Sequence, residues 1–157
     1  MRTRPDVIPS LLLPLHGKNL LLPNVAVAEV IPYDAVQPVA EAAEWLLGIT
    51  RWRGQTIPVV SFEVVRGDHM PPLAEDARLV VLNTVQGDGG VDFYAVVTAG
   101  IPHLRSVTPD KLDGVETFDG VPSADELRRI RIEGEPAIIP DLKVLESLVA
   151  GYWNLAA

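Results

Sequence analysis

The sequence predicts a mainly β protein that ends in a short helix. Short apolar runs rich in Val, Ile and Leu recur along the 157 residues, and fourteen prolines and twelve glycines separate them. Such runs suit the half-buried surface of a pleated sheet, and glycines suit the tight turns between strands. Near the C-terminus, Leu142, Leu145, Leu148 and Val149 recur at helical spacing instead. Each half of the chain contains hairpin signals followed by an apolar return segment, which is compatible with two small barrels.

The first half of the chain is predicted to consist of hairpins. Residues 16–18, which include a glycine, separate the first two apolar runs, and Gly54-Gln55 separates the last two. Pro58 lies inside the last run and indicates an edge strand or an irregularity, because proline has no N–H to donate to a neighbouring strand. The predicted strands cover residues 10–15, 19–23, 25–31, 48–53 and 56–62.

Residues 38–48 interrupt this pattern. Good helix formers, among them Trp45, fill the segment between Pro38 and Gly48. Proline suits the first turn of a helix and glycine its end. The composition therefore predicts one or two helical turns.

The second half begins with a predicted surface loop over residues 67–76, where two consecutive prolines and scattered charges occur. Turn-rich residues 86–90 and the pair Gly134-Glu135 then mark two further hairpins. Residues 123–126 match the capping-box pattern and allow a turn of helix through Arg128. The strands of these hairpins are predicted over residues 78–85, 91–98, 129–133 and 136–140.

Composition and charge limit the partners. Apolar residues make up 48% and charged residues 22% of the sequence, and its length fits one compact domain or two small subdomains. A formal net charge of −8 opposes binding to nucleic acid or to anionic membranes, because both need clustered Lys and Arg. The absence of cysteine excludes disulfides and thiolate metal sites and suits the cytosol. The apolar stretch 11–15 is too short for a signal peptide or a membrane-spanning helix.

No local motif predicts catalysis, a cofactor or a metal site. The three histidines are far apart in the sequence and lack the close spacing of metal-ligand pairs. Residues 87–90 are rich in glycine but lack the Lys-Ser or Lys-Thr of a phosphate-binding loop, and we interpret them as a turn. The alternative is a small β-barrel enzyme or ligand-binding protein whose site is assembled from distant residues, such as His103, Arg105 and Asp141 around an apolar pocket.

Two tryptophans lie close together in the sequence. Trp45 and Trp52 flank Gly48, and Trp52 lies between Arg51 and Arg53. Core packing is the simpler interpretation for Trp45. For Trp52 two interpretations stay open, core packing and an exposed interface anchor, since Trp and Arg dominate binding hot spots.

Residues 45–62 resemble the most distinctive segment of CheW-like domains. In that family an apolar turn ending in Gly leads into a strand, an Asn-Leu-Arg-Gly hairpin turn and a returning strand of the form Pro-Val-Val-Asp-Leu. This sequence has Arg53-Gly54 and Pro58-Val59-Val60 at the matching distance. Upstream segments that include Leu20-Leu21-Leu22-Pro23 and Glu29-Val30 extend the likeness, which covers nearly the whole chain.

Four positions depart from the family pattern. Arg51 and Trp52 replace the usual Asn and Leu, and Ser61 replaces the usual Asp. Thr98 stands where the second half commonly carries Asp. In these respects the chain is more similar to the divergent adaptors of pilus-linked (twitching motility) chemosensory systems than to the standard form.

The resemblance implies a pair of small five-stranded, SH3-like β-barrels within a single domain of residues 1–157. The approximate subdomains cover residues 18–66 and 77–140, and the N- and C-terminal segments pack across them. It also implies a scaffold without catalytic, cofactor-binding or metal-binding residues.

The partners that the resemblance implies are two proteins of a chemosensory array, with no nucleic acid and no direct membrane insertion. A CheW-like adaptor joins the regulatory domain of a CheA-type histidine kinase to the cytoplasmic tip of a methyl-accepting chemoreceptor, in the cytoplasm at membrane-associated arrays. Matching the family's Glu and Arg predicts that Glu29 lies near Arg53 across adjacent strands, where a carboxylate and a guanidinium can pair. The expected partner-binding residues are Glu29, Trp52, Arg53, Gly54 and Pro58.

Overall fold

The structure, a computed structural model, describes residues 8–84, 90–107, 112–114, 126–132 and 134–156. Its strands form a six-stranded and a five-stranded sheet. Two α-helices accompany them, α1 (Phe62–Val65) and α2 (Leu142–Ala156), together with a short 3-10 helix at Asn24–Ala26. In chain order the strands are β1 (Ile8–Pro14), β2 (Asn19–Pro23), β3 (Val27–Pro32), β4 (Leu46–Trp52), β5 (Gln55–Val60), β6 (Arg78–Asn83), β7 (Phe93–Val97), β8 (His103–Val107), β9 (Leu112–Gly114), β10 (Glu126–Ile132) and β11 (Glu135–Pro140).

The two sheets are built on the same plan. The six-stranded sheet has the order β8-β1-β2-β11-β10-β9, and the five-stranded sheet has the order β3-β6-β7-β5-β4. In the first, the parallel pair β2–β11 joins the hairpin β1–β2 to the hairpin β10–β11. In the second, the parallel pair β5–β7 joins the hairpin β4–β5 to the hairpin β6–β7. Each sheet therefore brings together hairpins that are distant in the sequence.

Alternate residues of the apolar runs face different hydrophobic cores. Leu11 and Leu13 of β1 face a core shared by both sheets, whereas Leu12 between them belongs to a second core formed by the six-stranded sheet. In the five-stranded sheet, Val80 faces the shared core and Val81 faces a third core on the opposite side. Because both faces of these strands are covered, the strands are apolar along their whole length.

The C-terminal helix closes the shared core. Leu145 and Val149 of α2 are buried there, and Tyr152 and Trp153 pack against its margin. Burial of a side chain such as Leu145 contributes about 1.5–3 kcal/mol to stability. No described helix has the length and hydropathy that a membrane span requires.

The mainly β fold in two units with a C-terminal helix is confirmed. In the described part of the chain the two sheets are open in their hydrogen bonding, and their SH3-like pairing agrees with the expected pair of small barrels, although one sheet has six strands. The subdomain limits of 18–66 and 77–140 stay a prediction. Strand pairing crosses those limits, because β2 joins the same sheet as β11 while β6 and β7 join the same sheet as β3.

The predicted hairpins are confirmed where the structure describes them. Gly17 has φ 75 in the β1–β2 turn, and Gly134 has φ 86 between β10 and β11. At the β4–β5 turn, Arg53 and Gly54 have φ 47 and 78, and two positive φ values are what a type I′ turn requires. The tip between β6 and β7, residues 85–89, lies outside the described residues.

The helical turns predicted within residues 38–48 are wrong. Glu41 has φ 58, which an α-helix does not allow, and β4 already begins at Leu46. Just before this segment, Gln37 exchanges two backbone hydrogen bonds with Ile49, at 2.8 and 2.9 Å. The chain therefore runs back along β4, and this tertiary pairing overrides the helix propensity of the alanines and glutamates.

Pro58 is not in an edge strand, because β5 lies between β4 and β7. The sequence predicted an edge strand or an irregularity at Pro58, and the structure shows irregular pairing. The register of β4 against β5 shifts between Leu46 and Gly48, and the parallel pairing with β7 begins only at Val59. The missing N–H of Pro58 is accommodated at this point.

Two short helical features also differ from expectation. The turn of helix through Arg128 is wrong, because Glu126 begins β10, which pairs with β11 and β9; residues 123–125 lie outside the described part. The last predicted residue of β5, Phe62, instead begins α1. The buried hydroxyl of Ser61 accepts a hydrogen bond from the Val64 N–H at 3.3 Å, as an N-cap residue does.

The β1–β2 turn of one sheet contacts α1, which follows the other sheet. Lys18 Nζ lies 3.3 Å from the Asp68 carboxylate, and the backbone of His16 hydrogen-bonds the carboxylate of Glu63. Glu63 is only 5% exposed, and this burial raises its pKa above the ordinary value of 4.5, although the charges of His16 and Lys18 act in the opposite direction. A buried carboxylate thus lies at the joint between the two sheets.

We predict that Glu63→Gln removes a pH-dependent loss of stability. A raised pKa in the folded state means that the stability contributed by the protonated carboxyl is full below 4.5 and is lost as the pH rises through the folded-state pKa. Glutamine resembles the protonated acid. The variant should therefore be more stable than the native protein at pH values above the folded-state pKa of Glu63. Urea unfolding from about pH 4 to about pH 8 gives the free energy of unfolding of each protein as a function of pH. The difference between the two pH profiles reports the contribution of Glu63. Parallel profiles would contradict the prediction.

A second prediction concerns Gly48, where β4 and the returning chain approach closely. A Cβ atom at this position would overlap the carbonyl oxygen of Gln37, and the φ of 156 is also unfavourable for other residues. We expect Gly48→Ala to lower the free energy of unfolding by roughly 1–3 kcal/mol, measured by urea denaturation. Gly151→Ala is the control: its Cβ would meet open space on α2, so it should stabilise by roughly 0.5–1 kcal/mol. A Gly48→Ala protein as stable as the native protein would refute the close approach.

Candidate partner-binding site

The tip of the β4–β5 hairpin projects charged and small residues from the five-stranded sheet. Arg51, Arg53, Gly54 and Thr56 are exposed, whereas Trp52 is buried between them. The alternation follows from the period of two along a strand, which directs Arg51 outward and Trp52 inward. The guanidinium of Arg51 donates to the Gly54 carbonyl at 3.2 Å and so braces the turn on its outer side.

Glu29 of β3 is the acceptor at the centre of this site. Its Oε1 accepts a hydrogen bond from Trp52 Nε1 at 2.9 Å and forms an ion pair with Arg53 Nη2 at 3.2 Å. The side chain of Glu29 is 41% exposed and that of Arg53 is 65% exposed. Solvent therefore reaches the ion pair, while the tryptophan lies beneath it.

Trp52 connects this ion pair to the core of the five-stranded sheet. The residue is 6% exposed, and its ring packs on Phe93 with centroids 4.8 Å apart. The guanidinium carbon of Arg53 lies 4.7 Å from the centroid of the same indole, within the range of a cation–π contact. The positive φ of Arg53 costs a non-glycine residue roughly 1–2 kcal/mol, which these contacts help to offset.

The site lies where the two outer strands of the five-stranded sheet approach each other. β3 and β4 are at opposite ends of the strand order, so backbone hydrogen bonds do not join them. Three contacts line the outer edge of β4 instead: Gln37 pairs with Ile49, Thr50 Oγ1 donates to the Ala35 carbonyl at 3.4 Å, and Trp52 donates to Glu29. β3 and the chain that leaves it therefore lie beside β4, and the backbone of β4 is paired there at Ile49.

Part of the sequence-based expectation is confirmed. Glu29 does lie beside Arg53, but the strands that carry them are not hydrogen-bonded neighbours. The exposed-anchor interpretation of Trp52 is wrong, because its indole is buried and hydrogen-bonded to Glu29. Pro58 is buried as well, whereas Gly54 is exposed at the tip. Whether these five residues bind a partner stays a prediction.

The Trp52–Glu29 hydrogen bond is the feature that sequence reasoning missed. A tryptophan that becomes buried needs an acceptor for its N–H, and the nearest acidic residue on a predicted strand before it was Glu29. That requirement is the signal that could have identified the pair. It could not have shown that both donors meet at one oxygen.

The alternative site around His103, Arg105 and Asp141 finds no support in the described residues. His103 and Arg105 are exposed on the outer strand β8, and Asp141 accepts from the Lys143 N–H at 3.1 Å in the first turn of α2. A small cleft lies between the β1–β2 turn, α1, the loop 70–74 and the end of β7, and none of these three residues lines it. No group of three or more potential metal ligands occurs in the described chain segments.

Two of the four departures from the family pattern have structural roles. Ser61 caps α1, and a carboxylate can cap a helix in the same way. Thr98 is buried, and its hydroxyl accepts from the Arg78 N–H at 3.2 Å and donates to the Gly100 carbonyl at 2.7 Å. The remaining two departures, Arg51 and Trp52, lie in the candidate site.

Comparison with known proteins gives a family match and a match in fold. The model of the CheW-like domain matches residues 9–148. The crystal structure of the scaffolding protein TtCheW from Thermoanaerobacter tengcongensis is similar in fold, with a TM-score of 0.73 over 90% of this chain and 89% of that chain, at 15% sequence identity. None of the curated proteins compared with the sequence matches it.

Proposed function

The chain belongs to the CheW-like domain family, and from this premise we propose that it is a non-catalytic adaptor that couples chemoreceptors to a CheA-type histidine kinase. The observation that carries the proposal is the family match over residues 9–148, which includes both sheets and the β4–β5 hairpin. One partner is the regulatory domain of the kinase, and the other is the cytoplasmic tip of a methyl-accepting chemoreceptor. The adaptor acts in the cytoplasm and is recruited to membrane-associated arrays.

The binding surface of the proposal is centred on the β4–β5 tip. Glu29, Arg53 and Gly54 are accessible there and contact the partner directly. Trp52 and Pro58 are buried, so they contribute from beneath by shaping the hairpin. Trp and Arg are frequent in binding hot spots, and a fixed Arg beside a half-exposed Glu gives the surface a defined charge pattern.

The output of the array is proposed to be pilus-mediated motility. Ser61 and Thr98 form hydrogen bonds with nearby backbone groups, so we interpret their departure from the family pattern as a change in local structure rather than in partner binding. Arg51 and Trp52 depart from the pattern at the β4–β5 tip, Arg51 on its exposed side and Trp52 beneath it, which favours a partner different from that of the standard flagellar adaptor.

A binding assay tests the proposal. The purified protein is immobilised and offered the regulatory domains of the histidine kinases and the cytoplasmic tips of the chemoreceptors of the same cell. We expect capture of at least one kinase domain and one receptor tip. Failure of the folded protein to capture any of them would contradict the adaptor role.

Arg53→Ala should weaken the captured complex by roughly tenfold or more, as loss of a central interface arginine typically does. The fold should persist, because an exposed ion pair contributes only about 0–1 kcal/mol. Isothermal titration calorimetry measures the affinity, and urea denaturation checks the fold. Arg51→Ala is the matched control, with the same loss of charge on the same hairpin but no contact with Glu29, and its loss of affinity should be clearly smaller than that of Arg53→Ala. Equal losses in both variants would show that only the net charge matters.

A further inference from the structure

The indole of Trp52 is buried at the base of the candidate site. It is 6% exposed, packs on Phe93 and belongs to the same core as Ile57 and Val59. Its N–H points out of that core to Glu29 Oε1 at 2.9 Å. The carboxylate of Glu29, itself 41% exposed, is thereby hydrogen-bonded to a donor on a buried side chain.

Arg53 is held from two directions by the same pair of residues. Its Nη2 binds the oxygen that Trp52 has already fixed, and its guanidinium lies over the Trp52 ring. An arginine carries five N–H donors in a planar fork, and a pairing through Nη2 leaves most of the fork available. With 65% of the side chain exposed, the fork can accept a second carboxylate from outside.

The charge at the β4–β5 tip indicates which kind of partner group Arg53 binds. Arg51 and Arg53 together outweigh Glu29, so the tip is locally cationic in a chain whose formal net charge is −8. A carboxylate is the group that a planar guanidinium binds with two parallel hydrogen bonds, and a like-charged surface elsewhere on the chain would repel it.

From this geometry we propose that Trp52 is a positioning residue, which holds Glu29 and through it Arg53 so that Arg53 receives an Asp or Glu carboxylate of the partner protein. The inference rests on the proposed function and adds the chemistry of the partner to it. Leucine, which the family usually has at this position, has no N–H and no aromatic ring, so it supplies neither contact. Both contacts come from the Trp52 side chain of this sequence.

The free protein provides the first test. Trp52→Phe keeps an aromatic ring near Phe93 and Arg53 but removes the N–H donor. The side-chain Nε of Arg53, observed by ¹⁵N NMR relaxation, should be ordered in the native protein and should become mobile in the variant, whereas Arg51 should be unchanged. Glu29→Gln is a second variant that leaves the core intact, and it should mobilise Arg53 as well. If Arg53 has the same mobility in all three proteins, Trp52 does not position it.

A double-mutant cycle with the captured kinase domain or receptor tip provides the second test. Trp52→Phe should weaken binding roughly tenfold in the native background but less than about twofold when Arg53 is already alanine, because coupled residues are not additive. The affinity of the native protein should fall with added salt, and this fall should be smaller for Arg53→Ala. Equal effects of Trp52→Phe in both backgrounds would show a general effect on the fold and overturn the proposal, as would an affinity independent of salt.

The two tests separate this inference from the proposed function. A native protein that captures no kinase domain and no receptor tip would overturn the adaptor role and with it the partner carboxylate. The NMR result decides by itself whether Trp52 positions Arg53. A native protein that binds its partner while Arg53 is equally mobile in the native and Trp52→Phe proteins would leave the adaptor role standing and overturn the inference.

Discussion

A single carboxylate links the two outer strands of the five-stranded sheet, and the arrangement of the candidate site depends on it. β3 and β4 share no backbone ladder, yet Glu29 of β3 accepts from Trp52 of β4 and pairs with Arg53 at the adjoining tip. Together with the pairing of Gln37 and Ile49, this contact places β3 and the chain that leaves it beside β4. An uncovered edge offers unpaired N–H and C=O groups to any other strand, so side-chain closure also protects against unwanted pairing.

The rest of the fold explains how so small a chain keeps two sheets in fixed relation. Both sheets are buried on one face by the shared core, and α2 closes that core with Leu145 and Val149. The β1–β2 turn contacts the α1 segment through Glu63 and Asp68. This arrangement requires apolar side chains on both faces of the central strands rather than particular residues, which is consistent with a similar fold at 15% sequence identity.

Local signals in the sequence predicted the local features of the fold. Glycine marked the hairpin tips at Gly17, Gly54 and Gly134. Tight turns need a positive φ, which glycine adopts readily, and all three glycines have one. The helical turns predicted within residues 38–48 were wrong, because the chain just before this segment pairs with β4 through Gln37 and Ile49. No local residue signals that pairing. The exposure of Trp52 could not be predicted either, because its burial depends on an acceptor on another strand. The resemblance to the family supplied the Glu29–Arg53 pair.

The central claim is that the β4–β5 tip faces the partner protein. The chain has no cysteine, so a single introduced cysteine carries a photo-crosslinker at one defined place. Thr56→Cys places it on the exposed side of the hairpin beside Arg51, and Ser147→Cys places it on the exposed side of α2 as a control. We predict a covalent adduct with the kinase regulatory domain or the receptor tip from position 56 and none from position 147. Adducts from position 147 alone, or equally from both, would contradict it.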